Sequence, residues 1–202
     1  MTVLSERARV RYWQIGAAVC IALLSWILQI TVLNNFSFGG AVCNLPLTMT
    51  ILWGFVFGSQ VPQLSPDKLR TKSVGAVFAH QLSAGSSSGL LFGALFAAIA
   101  ASQLPIYTIS YPLIGWITGY FSPRNVNPET LLCMPMVLLA SVLANIITAG
   151  QLAAGGHADI FPHLSQIALP EAVLNAIIAP FIYFPLRHWH DYNRSATNST
   201  SL

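Results

Sequence analysis

The stretch WQIGAAVCIALLSWILQITVL, Trp13–Leu33, runs for 21 residues without an Asp, Glu, Lys or Arg. About 20 consecutive apolar residues carry a helix across the hydrocarbon of a bilayer. Five further runs of similar character follow: about Phe38–Gly58, Ala84–Ser102, Leu104–Phe121, Leu131–Leu152 and Ile167–Leu186. Lipid leaves no backbone group unpaired, so only helices or closed barrels cross it. Barrel strands alternate polar and apolar residues, and these runs do not. The expected fold is therefore all-α: a single domain over residues 1–192 of six transmembrane helices, followed by a polar, disordered tail at 193–202.

Composition agrees. Of 202 residues 54% are hydrophobic and 7% charged, against about 25% charged in a soluble domain. Mean hydropathy is +0.63. So few charges cannot cover a water-facing surface, which disfavours a cytosolic enzyme, a secreted domain and a disordered regulator. The net charge of +3 comes from cations scattered between apolar runs rather than gathered into a patch, so no nucleic-acid partner is expected. The lipid bilayer is the first partner. Cys20, Cys43 and Cys133 lie in or beside apolar runs without a CxxC spacing, so reduced, buried thiols are expected. Arg7, Arg9 and Arg11 precede the first run as they would in a signal peptide. That run is longer than a signal core, and it is read as a retained helix.

Cations fix the expected orientation, because cytoplasmic loops of membrane proteins are enriched in Lys and Arg. With the N-terminus inside, the inner segments hold Arg7, Arg9, Arg11, Lys68, Arg70, Lys72, Arg124, Arg187 and Arg194, which is every Lys and Arg in the chain. The outer segments near 34–40, 103 and 153–166 hold none. Six spans with both termini cytoplasmic account for all nine. The segment Ser73–Ser83 reads as an interfacial or re-entrant lead-in to the third span.

Gly85, Gly89, Gly93, Ala97 and Ala101 recur every four residues, and Gly115 and Gly119 repeat the pattern on the fourth run. Such small-residue faces let helix backbones approach closely in lipid. The same region, SSSGLLFGALFA at Ser86–Ala97, resembles the serine motif of rhomboid proteases, with Ser88 in the nucleophile's place. A serine nucleophile needs an adjacent base. His80 stands alone, and His157 and His163 lie in the last outer loop, so helix packing is the preferred reading. His157, Asp159 and His163 are too loosely spaced for a metal site. His188 and His190 flank Trp189 next to Arg187, which reads as an interfacial anchor. No ionisable group sits at the centre of a run, which argues against ion-coupled transport. Glu171, after Pro170, is placed at the start of the sixth helix, where a carboxylate suits the helix N-terminus. No catalytic set, metal or cofactor is expected, and the chain is read as a non-enzyme.

Three stretches resemble the bacterial rod shape-determining MreD family: LQITVLNNFSFGGAVCNLPLTMTILWGFVFG at Leu28–Gly58, GLLFGALFAAIAASQLPIYTISYPLIGWITGYF at Gly89–Phe121, and LPEAVLNAIIAPFIYFPLRHW at Leu169–Trp189. Together they cover about half the chain. It departs from that family at Ala97, where an acidic residue often stands, and in a longer segment Ser59–Ser83. The resemblance implies a membrane scaffold of the cell-elongation complex in the bacterial inner membrane. Such subunits partner an MreC-like protein and act with MreB, a lateral-wall transpeptidase and a SEDS glycosyltransferase in peptidoglycan synthesis. It also implies a fold like that of the substrate-binding S-components of energy-coupling-factor transporters. On this reading Asn44, Pro46, Tyr111, Gly115, Gly119, Asn175 and Pro180 are candidate contact residues. Gly85, Gly89, Gly93 and Glu171 join them as packing or partner positions, and Asn44 and Asn175 are expected to hydrogen-bond between helices.

A rival reading comes from NLPLTMTILWGFVFGSQ, which resembles a helix of biotin-uptake subunits. It implies a vitamin-binding S-component with an outward pocket built from Asn44, Thr48, Tyr107, Tyr111 and Glu171.

Overall fold

A computed structural model describes residues 2–58, 85–101, 107–121, 133–156 and 161–199, with side chains described from Ile15 onward in the first helix and from Gln166 to Tyr192 in the last. The segment at 59–83, the cations Lys68, Arg70, Lys72 and Arg124, His80, and the loop residues His157 and Asp159 lie outside the described residues. So does the side chain of His163.

The described chain is mostly helical. Its elements are α1 (Thr2–Thr31), a 3-10 turn (Leu33–Asn35), β1 (Ser37–Phe38), β2 (Ala41–Val42), α2 (Leu45–Val56), α3 (Ser87–Ala101), α4 (Ser110–Ile117) continued by a 3-10 turn (Thr118–Phe121), α5 (Cys133–Ala154) and α6 (Phe161–Ser199). Three segments are long and apolar enough to cross a membrane: Ile15–Asn35, Cys133–Ala154 and Gln166–Tyr192. The helices in the other three runs are shorter.

The second run is not helical from Phe38. Gly39 and Gly40 have φ of +60° and +86°, the paired positive values that a two-residue type I′ hairpin requires. Phe38 pairs with Ala41 and Ser37 with Val42 across that turn. The helix starts only after Asn44, whose side-chain oxygen accepts from the Leu47 N–H at 3.1 Å, with Pro46 in the first turn. Asn at the cap and Pro just inside are favoured because neither wastes a helical hydrogen bond. Ser86 plays the same part for α3, accepting from the Gly89 N–H at 2.9 Å, so Gly85 lies before the helix.

The ends of the last helix also differ from expectation. It begins at Phe161, so Glu171 lies in its interior rather than at its start. It continues to Ser199, so residues 193–199 of the expected disordered tail are helical. No Gly or Pro follows Pro185 before that point, and extending an existing helix fixes only one residue per added bond.

Helix α2 is the hub. It packs against each of the other five described helices, and every residue from Leu45 to Val56 except Met49 is buried. A helix that is apolar all round belongs in the interior. Around it sit the buried side chains of Phe96, Ile114, Val137 and Tyr183. Trp53 stacks on Phe92 with centroids 4.2 Å apart and planes 4° from parallel, and on Phe57 at 4.4 Å. Trp189, partly buried, closes this aromatic group at 5.7 Å from Trp53. Helix α1 is the opposite case: Leu23, Leu24, Ile27, Leu28 and Ile30 are all exposed, facing where lipid belongs.

The small-residue faces form one seam between α2, α3 and α4. A Cβ at Gly89 would overlap the Gly115 carbonyl oxygen and the Gly54 Cα, and one at Gly54 would meet that same carbonyl and the Thr118 hydroxyl. Gly93 lies against the Tyr111 backbone, Gly119 against Ser86, and Gly85 against the Trp116 indole. Gly54, the one glycine within α2, completes the seam.

Candidate functional site

A polar cluster lies at the end of α2 where the hairpin enters, and Asn175 is its centre. Its side-chain oxygen accepts from the Asn44 backbone N–H at 2.7 Å and from the Cys43 thiol at 3.3 Å. Its amide nitrogen donates to the Ser141 hydroxyl at 3.2 Å. Asn175 is fully buried, and it ties α6 to α5 and to the cap of α2. Amides are suited to this role because they offer donors and acceptors together.

One turn along each helix the pattern continues. Asn145 stands four residues beyond Ser141 on α5, and Glu171 four residues before Asn175 on α6, so each pair shares a helix face. The Glu171 carboxyl faces the side-chain amides of Asn44, Asn175 and Asn145 and lies within electrostatic reach of Cys43, Tyr107 and Tyr111. Two atoms here are shut off from solvent without a hydrogen bond: Glu171 Oε1 and Asn145 Nδ2. One is an acceptor and the other a donor. Buried orphans of this kind are uncommon in folded proteins.

The tyrosines supply the cluster's apolar wall. Tyr111 donates to Asn44 Oδ1 at 3.0 Å, and Tyr107 stacks on Tyr111 with centroids 4.8 Å apart. Tyr111 is buried and Tyr107 half-buried. The Thr48 hydroxyl donates to the Asn44 carbonyl at 2.9 Å.

The structure thus divides the candidate residues. Asn44, Tyr111, Glu171 and Asn175 come together in the polar cluster, with Tyr107 beside them. Gly85, Gly89, Gly93, Gly115 and Gly119 belong to the helix seam. Pro46 is buried in the first turn of α2, where its carbonyl accepts from the Thr50 hydroxyl at 2.9 Å. Pro180 is half-buried inside α6 and takes no part in either group. Ser88 donates to the Phe57 carbonyl at 2.9 Å, which ties α3 to the end of α2. Sequence reasoning missed Ser141 and Asn145. Their signal was an amide and a hydroxyl one turn apart inside an otherwise apolar span, the kind of pair that bonds across helices in lipid.

Comparison of the chain with protein-family models, characterised proteins and solved structures finds no match.

Proposed function

We propose that this chain is a non-enzymatic, multi-pass subunit of the bacterial cell-elongation machinery, similar to MreD, that works through protein contacts in the inner membrane. In this reading it crosses the bilayer six times with both termini cytoplasmic, and it partners an MreC-like bitopic protein within the complex containing MreB, the lateral-wall transpeptidase and the SEDS glycosyltransferase. One observation supports it above others. The three stretches that resemble the family meet in the interior, where α5 joins them: Leu28–Gly58 and Gly89–Phe121 form the glycine seam, and Leu169–Trp189 reaches the α2 cap through Asn175. Depletion of the chain in its native host, with affinity purification of a tagged copy, tests the proposal. Rods that round up, and an MreC-like protein in the purified sample, are expected. Unchanged cell shape with no such partner overturns it.

A second reading, a substrate-binding subunit for a small vitamin, is favoured by the unpaired Glu171 Oε1 and Asn145 Nδ2. A few polar groups beside an aromatic pair are what fixes a small ligand's orientation. A vitamin retained through detergent purification, and lost in Glu171→Ala, decides for this reading over the scaffold.

A further inference from the structure

The hairpin between α1 and α2 leaves two rings uncovered. Phe38 is 80% exposed and Phe36 71%. Phe36 ends the 3-10 turn and Phe38 is the last residue of β1, so both rings lie in the short link between α1 and the glycine turn. A two-residue turn built on Gly39 and Gly40 holds them at the tip.

Polar side chains nearby are already hydrogen-bonded within this segment. Gln29 Nε2 donates to Asn34 Oδ1 at 2.9 Å, Gln29 Oε1 accepts from the Leu45 N–H at 2.8 Å, and Asn35 Nδ2 donates to the Thr31 carbonyl at 2.8 Å. The Thr31 hydroxyl bonds the Ile27 carbonyl at 2.8 Å. The end of α1 therefore satisfies its own carbonyls, as a helix end in contact with lipid must. No Asp, Glu, Lys or Arg occurs between Arg11 and Asp67, so nothing in this segment attracts a charged partner.

Position supplies the occupant. The span Ile15–Asn35 is 21 residues, or roughly 31 Å of helix at about 1.5 Å per residue, close to the hydrocarbon thickness of about 30 Å. The hairpin follows at once, so it sits at the headgroup level. On the span that leads into it Ile27, Leu28, Ile30 and Val32 are exposed as well.

We propose that the Phe36–Phe38 tip is a membrane-interface anchor, its two rings inserted at the boundary of headgroups and acyl chains. Only the spanning of α1 is required, so the proposal stands whichever end of α1 is cytosolic and whichever function holds. The anchor has a structural consequence. The hairpin runs directly into Asn44, the residue that caps α2 and bonds Asn175, so the bilayer surface holds the lead-in to the polar cluster in place.

Phe38→Cys in a Cys20→Ser background, labelled with a nitroxide and reconstituted in phosphatidylethanolamine–phosphatidylglycerol vesicles, tests this; Cys43 and Cys133 are buried. Relaxation enhancement by oxygen, which concentrates in lipid, is expected to be several-fold greater than that by a water-soluble nickel complex. Phe36→Cys gives the same readout if the first variant does not fold. A nickel effect exceeding the oxygen effect overturns the proposal. So does a label shielded from both, the result for a ring covered by a second copy or another protein.

Discussion

Asn175 and Asn44 meet across 131 positions of sequence, the side-chain oxygen of the first 2.7 Å from the backbone nitrogen of the second. The contact joins the last helix to the first turn of the central one. It also satisfies a backbone N–H that the α2 helix cannot use itself.

Removing that side-chain amide leaves the Asn44 N–H, the Cys43 thiol and the Ser141 hydroxyl without their partner. Asn175→Ala is expected to destabilise the protein by about 1–3 kcal/mol. Ser141→Ala breaks one of the three bonds and costs about 0.5–1 kcal/mol. Unfolding in detergent followed by tryptophan fluorescence measures both. Equal losses in the two variants contradict the central place given to Asn175.

Glycines in the seam and glycines elsewhere respond in opposite directions. Gly89→Ala and Gly115→Ala each press a methyl group into facing backbone, at a cost of about 1–3 kcal/mol. A Cβ at Gly16 or Gly150 meets nothing within 4 Å, and Ala there adds up to about 1 kcal/mol of helix preference. Melting temperatures of the four variants read the contrast; a neutral Gly89→Ala removes the three-helix contact from the explanation of the fold.

Glu171 is a carboxyl shut among amides, with no cation in contact among the described residues. Burying it as a charge is expensive, and as an acid it still leaves one oxygen unpaired. Glu171→Gln keeps the shape, removes the charge and adds donors, so stability is expected to hold or to rise by about 1 kcal/mol. A fall of similar size in the same unfolding assay shows instead that the negative charge itself is needed.

Orientation is open to direct labelling. With α1 entering from the cytoplasm, Asp67→Cys is expected to react with an impermeant maleimide only after the cells are opened. Ala154→Cys, exposed at the end of α5, is expected to react from outside in intact cells. Reaction of position 67 in intact cells reverses the topology on which the proposed function depends.

Much of the architecture was legible because helices leave a plain mark on composition. The spans at Trp13–Leu33, Leu131–Leu152 and Ile167–Leu186 overlap α1, α5 and α6, and the glycine spacing pointed to close packing where α3 and α4 do pack. The second run begins as a hairpin and not as a helix. Hydropathy alone does not tell a helix from the hairpin and cap that lead into one; the signals were Gly39-Gly40 and Asn44-Leu45-Pro46. Glu171 was placed at a helix start because Pro170 precedes it, although Pro is tolerated inside a long helix when neighbours cover the freed carbonyl. Asn145 escaped notice because a single amide in an apolar run has no partner until the other helix is known.

The sequence by itself determined that this chain is helical and belongs in a bilayer. Both follow from local composition, which needs no knowledge of neighbours. Only the tertiary structure decided which helix lies at the centre and which residues meet there. Lipid is as apolar as a protein interior, so α1 and α2 look alike in sequence although one faces outward and the other is buried on every side. The same applies to Asn44, Tyr111, Ser141, Asn145, Glu171 and Asn175. They lie on four segments distant in sequence, and they form a cluster only because those segments converge on one point.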